Sequence, residues 1–314
     1  MYTPVVRRTA VRSGLFDARD RATKRRRDRR REDETPDPRP ELQRWLGQWV
    51  RASSADELMR LDLGRYLRES ARFDIAPRER LRLLAIECEF VFTGSNPGLE
   101  WDALDRIYRE ALRLDDRDPW VHASRGSSAA ELATYTEDEE AAVTLSRKAH
   151  EYLRVAASLA PKEAHIAYAT GYATYMVGAP TPEQALVHFD RALELDHEHG
   201  WARLYRAHCL HDLKRWDEAV EAYTQVPKQQ FAGPTTWRMD VLVEQQGWCR
   251  LQAGDVAGAR ADLERILSRY EQQPHLAEMS ALAYLRDAAE EAFPEMQGRV
   301  RAIFEKSRRP ERDV

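Results

Sequence analysis

Apolar residues return along this chain at the three- and four-residue spacing of a helical face, in pairs of segments separated by short polar turns. Leu42, Trp45, Leu46 and Trp49 mark the first face. Ser54 followed by Glu57 has the form of a capping box, and Leu58, Leu61, Tyr66, Leu67 and Phe73 supply a second helix. Residues 77–92 and 101–114 form a pair, and further pairs occupy 119–161, 161–198, 199–228 and 236–270. Thr136 with Glu139 offers the start of the second helix in the 119–161 block. Leu276, Met279, Leu282 and Ala283, then Met296, Val300, Ile303 and Phe304, predict two closing helices over His275–Phe293 and Glu295–Lys306. The pattern predicts an all-α chain of about twelve to fourteen helices with local contacts and no sheet.

Small residues hold fixed stations within the pairs. Gly126, Gly171, Ala207 and Gly247 fall in successive first helices, and Ala149, Ala185, Ala219 and Ala259 in the second helices. Each such alanine is followed by an apolar residue four positions on: Leu153, Phe189, Tyr223 and Leu263. A small side chain lets two helices approach closely, whereas a large one there overpacks at a cost of roughly 1–3 kcal/mol. Ala185 and Ala219 are 34 residues apart; Ala219 and Ala259 are 40 apart, with a six-residue insertion at Gln229–Pro234. Trp216-Asp217-Glu218-Ala219 is the cleanest second-helix opening, and Gly254-Asp255 before Ala259 repeats it in weaker form.

A two-helix unit of about 34 residues with these small stations resembles the tetratricopeptide repeat, over residues 77–270. The resemblance implies an α-solenoid of stacked hairpins. The expected organisation is an arginine-rich flexible arm at 1–40, a helical cap at 41–76, repeats at 77–273 and a second cap at 274–314. In that family the first helices line a concave surface that holds another protein. Carried over, the groove is lined by Trp120, His165, Tyr168, Tyr172, Trp201, His208 and Trp248, with Tyr168, Tyr172 and Trp201 at its centre. These positions are aromatic or histidine, which suits an apolar or aromatic-anchored peptide or helix. The Lys, Arg and Asn used by family members that grip chaperone C-terminal carboxylates are not there. The implied function is a non-enzymatic interaction scaffold or adaptor.

Charge adds a second feature. Residues 1–31 carry twelve basic and three acidic side chains, net +9, and the remainder carries 37 and 50, net −13. Lys24, Arg25, Arg26, Arg27, Arg29, Arg30 and Arg31 fall within eight positions, and Pro36, Pro38 and Pro40 follow. Too little apolar surface accompanies this run to offset ordering entropy. Three contacts fit it: nucleic-acid phosphates, an acidic protein, or the acidic body of the same chain. The nucleic-acid reading makes the chain a phosphate-backbone binder instead of a scaffold.

Candidate chemistry changes the picture little. Mean hydropathy is −0.68 and no apolar run approaches a membrane span, so no membrane partner is expected. Cys88, Cys209 and Cys249 are few, odd in number and widely spaced, which points to a reducing compartment, and a cytoplasmic location is expected. The chain has no phosphate-binding glycine loop, HExxH or GxSxG signature, and neither enzyme activity nor a cofactor is expected. His208, His211 and Asp212 share a helical face, but with no cysteine partner they read as a polar groove wall and not as a zinc site.

Overall fold

The computed structural model describes residues 38–51, 61–92, 97–177, 181–227, 230–231, 237–278 and 282–307. The arm run Lys24–Arg31 and the Ser54–Glu57 capping box lie outside the described residues. Among the described residues there are fourteen α-helices and no strand, an all-α fold of the solenoid class. They fall into two compact units, one ending at His199 and one beginning at Gly200.

The first unit contains α1 (Arg39–Arg51), α2 (Leu63–Glu69), α3 (Pro77–Phe92), α4 (Pro97–Leu114), α5 (Pro119–Tyr135), α6 (Glu139–Leu159), α7 (Ala164–Met176) and α8 (Pro182–Leu195). Helices α3 and α4, α5 and α6, and α7 and α8 pack as hairpins, and α1 packs on α3. Leu42 and Leu46 of α1 join Tyr66, Leu81, Leu84, Tyr108, Leu132 and Leu153 in one continuous apolar core. Tyr66 spends its hydroxyl inside that core, donating to the Arg80 carbonyl at 2.7 Å. Asp62 and Asp118 accept from the first free amides of α2 and α5. The expected cap of α6 is corrected: Asp138 accepts from Ala141 N at 2.6 Å. Thr136 turns back and donates to the Leu132 carbonyl at 2.8 Å, so its hydroxyl closes α5 instead of opening α6.

The second unit contains α9 (Gly200–Asp212), α10 (Trp216–Thr224), α11 (Trp237–Gln252), α12 (Val256–Gln272), α13 (Ala283–Glu291) and α14 (Gln297–Ser307). Helices α9 and α10 form one hairpin, α11 and α12 the next. A 3-10 turn at Pro274–Glu278, α13 and α14 close the core around Leu263, Tyr270, Leu285, Phe293 and Ile303. The single helix expected over 275–293 does not form. Leu282 is fully buried in the left-handed region at φ 56°, and an α-helix cannot run through that conformation.

Glycine sets the closeness of the hairpins. A Cβ built on Gly126 would lie 2.7 Å from Leu153 Cγ, one on Gly171 2.8 Å from Phe189 Cε1, and one on Gly247 2.9 Å from Leu263 Cδ2. On the loop side of this contact one hairpin is longer than the others. The small residue stands five positions before the end of α7, α9 and α11, but nine before the end of α5. The bulky partner stands seven positions into α8, α10 and α12, but fourteen into α6. The second hairpin of the first unit is thus longer by four residues on one helix and seven on the other, close to one and two turns.

The turns after α9 and α11 repeat one geometry. Arg215 N donates to Leu210 O and Lys214 N to His211 O, both at 2.9 Å; Asp255 N donates to Arg250 O at 2.9 Å and Gly254 N to Leu251 O at 3.0 Å. The residue at the reversal is left-handed in each, Lys214 at φ 57° and Gly254 at φ 87°.

Candidate partner-binding surface

In α7 and α11 the residue one past the small station carries a large aromatic ring. Tyr172 follows Gly171 and Trp248 follows Gly247, and both are partly exposed. Trp120 at the start of α5 is also partly exposed.

In the first unit the rings form a run. Trp120 stacks on His165 at 6.0 Å, and His165 on His199 at 5.9 Å, with ring planes within 18° and 21°. Tyr168 packs 5.0 Å from His199 and 6.2 Å from Tyr172. His165 is 1% and Tyr168 7% exposed, so both serve mainly as packing between first helices. Burial, then the neighbouring His199, then Arg82 hold the His165 imidazole well below its ordinary range, in the neutral form. Behind this run lies a buried ion pair, with Arg82 Nε and Nη2 donating to Glu79 at 2.8 and 2.7 Å and Arg82 Nη1 to Ser124 Oγ at 3.2 Å. Beyond it, Tyr172 donates to Glu131 Oε2 at 2.7 Å, and Tyr135 to Glu131 Oε1 at 3.2 Å.

In the second unit Trp201 makes a ring contact and His208 a hydrogen bond within the unit. Trp201 is 2% exposed: the Phe231 ring meets it edge-on at 4.8 Å, and the Arg238 guanidinium lies 4.9 Å above it. A central hot spot built on Trp201 has no accessible ring in this structure. His208 faces the second helix of its own hairpin, with Nδ1 2.8 Å from the Tyr223 hydroxyl. Burial pushes its imidazole down to about 3. His211 turns elsewhere, 3.0 Å from Asp212 and edge-on to Trp216 and Tyr284. His208 is thus turned to Tyr223, and His211 and Asp212 to each other. Among the described residues no three metal-ligating side chains converge.

A second concavity, of about 590 Å³, is lined by Ser146, His150, Val187 and His188 of α6 and α8 with Thr174 and Val177. Burial lowers both imidazoles there. Cys88, Cys209 and Cys249 are buried free thiols, and burial drives Cys249 up to about 12. Such thiols are unreactive packing groups. No helix of the described residues is long and apolar enough to cross a membrane.

Glu131, Tyr135 and the Glu79–Arg82 pair were not among the expected lining residues. Glu131 was within reach of the pattern, since it sits five residues after Gly126 on the face that carries Trp120 and Ser127. The Phe231 lid over Trp201 had no such signal, because it lies in the stretch that interrupts the repeat spacing.

Tetratricopeptide-repeat family models match residues 179–235 and 244–272. No curated protein matches the chain in sequence. Among solved structures, YrrB, described as a TPR protein with an unusual peptide-binding site, is similar with a TM-score of 0.44 and 18% identity over 70% of this chain and 97% of that one. The family matches fall on helices that carry Ala185, Ala207, Ala219, Gly247 and Ala259, and residues 179–235 and 244–272 are tetratricopeptide-repeat sequence.

Proposed function

We propose that this chain is a protein-interaction scaffold that takes a peptide or helix of another protein along the first helices of its repeats. Binding, not chemistry, is the activity. The observation that carries this reading is the repeated placement of a partly exposed aromatic ring just after the tight glycine, Tyr172 in one unit and Trp248 in the other. Large aromatic rings dominate the energy of interfaces, and repeats of this family present such positions to partners. Tyr168 packs against Tyr172, and His165 stacks on Trp120.

The basic run Lys24–Arg31 is the second contact, made to an acidic protein. Pull-down with the full-length chain, with a chain lacking residues 1–40 and with Tyr172→Ala, each with and without nuclease, tests both parts. Partners that resist nuclease, survive removal of the arm and are lost with Tyr172→Ala support the scaffold reading.

The seven basic residues within eight positions favour one other reading, a nucleic-acid-associated protein. In that case binding is nearly independent of sequence and falls with salt at a log–log slope of about −0.9 per phosphate contacted on duplex DNA. A tight nuclease-sensitive complex lost on deleting the arm decides for it.

A further inference from the structure

Acidic side chains drawn into the hairpins of the first unit are matched by guanidinium groups. Glu79 pairs with Arg82, Asp105 with Arg125 and Arg109, and Asp118 with Arg78. Glu131 is treated differently. Its two oxygens receive phenol hydroxyls, from Tyr172 at 2.7 Å and Tyr135 at 3.2 Å, and no cationic side chain pairs with it among the described residues. All three side chains are partly exposed, and the Tyr168 ring backs Tyr172 at 6.2 Å.

Two neutral donors orient a carboxylate without balancing its charge. The aromatic rings beside it offer negative faces to a cation. A carboxylate fixed in direction, with rings at its flank, suits a flat guanidinium better than an ammonium. A guanidinium can present two N–H groups to the oxygens while its plane lies against a ring. Charge complementarity therefore names the occupant. We propose that Glu131, Tyr135 and Tyr172 bind an arginine side chain presented by the partner segment. This inference rests on the scaffold reading above and specifies which residue the partner must carry.

The test is a selection of random twelve-residue peptides on the full-length protein, with recovered peptides remade with citrulline, a neutral isostere, in place of each arginine. The expected result is one arginine at a fixed position whose replacement weakens binding about tenfold or more on the wild-type protein and little on Glu131→Gln. Glu131→Asp, which keeps the charge, retains part of the preference. Circular dichroism and thermal unfolding confirm that the variants fold. Peptides that respond to Tyr172→Ala but neither to citrulline nor to Glu131→Gln overturn the arginine assignment and leave the groove reading standing. Peptides indifferent to Tyr172→Ala and Trp120→Ala, or the recovery of none, overturn both. Tyr135 and Tyr172 ring signals that shift when the seven basic residues of Lys24–Arg31 become serine assign the site to the chain's own arm, and also overturn a partner arginine.

Discussion

Gly171 and Phe189 meet so closely that the smallest side chain with a Cβ does not fit between them. A methyl group on Gly171 would stand 2.8 Å from Phe189 Cε1 and 2.9 Å from Cδ1, with His188 Cβ 3.1 Å away. Gly171→Ala is therefore expected to destabilise the protein by about 1–3 kcal/mol through overpacking, although alanine is the better helix former. Gly298→Ala, where a Cβ meets nothing within 4 Å, is the control and is neutral or slightly stabilising. Urea unfolding of the two variants checks the pair. Equal midpoints would mean that the α7–α8 seam is looser than described.

Arg82 and Glu79 make a second prediction. Their side chains are 3% and 9% exposed, and they hold each other in a two-pronged contact. Glu79→Ala leaves a buried guanidinium without its partner, and a loss of about 3–5 kcal/mol is expected. Replacing both by leucine and methionine restores most of that loss, since the pair costs desolvation as well as supplying attraction. A double-mutant cycle by chemical denaturation measures the difference.

The turn at Lys214 is expected to stabilise less than the matching turn at Gly254. Both reverse the chain in the left-handed region, but only glycine adopts it without steric cost. Lys214→Gly is expected to raise stability by about 1 kcal/mol or slightly more. Gly254→Lys, at the equivalent turn, is expected to lower it by a similar amount. A thermal shift of the same sign in both would contradict the shared geometry.

Acid should weaken the folded state in a defined window. His165 and His208 have folded-state pKa values below the ordinary 6.5, both mainly through burial. The unfolded chain therefore binds protons that the folded chain refuses. Their contribution is complete above pH 6.5 and shrinks as pH falls below it, towards about 3 for His208. Each group adds a slope of up to about 1.4 kcal/mol per pH unit. Unfolding free energies between pH 7 and 5, before most carboxylates titrate, are expected to fall more steeply for the wild-type protein than for His165→Phe. Parallel profiles would show that His165 accepts its proton in the folded state.

The features legible in the sequence were those imposed by contact within one hairpin. Gly171 against Phe189 and Gly247 against Leu263 recur at nearly fixed spacing, so spacing alone reveals them. Position on a first helix was legible for the same reason. Exposure was not, because it depends on segments far along the chain or in irregular turns. Phe231, outside any helix of a repeat, closes over Trp201 and removes it from the surface. His199, one residue before α9, stacks on His165 and helps to bury it. Thr136 carried the right letters for a cap, but Asp138, two residues later, reaches the free amide of Ala141. Leu282 gave no warning of its left-handed conformation, since apolar spacing runs smoothly through it.

The long hairpin of α5 and α6 bears on how such a chain can gain or lose length. Its surplus is four residues on one helix and seven on the other, and the loop of three residues, 136–138, is no longer than the loops at 213–215 and 253–255. Insertions that approximate whole turns return every later side chain to its former side, so Gly126 still meets Leu153. An insertion of two residues in either helix would swing the following positions by about 200°, carrying polar residues into the seam. Growth of this repeat is thus restricted to steps of about one turn, and a deletion of the same four and seven residues should be the shortening that its core tolerates best.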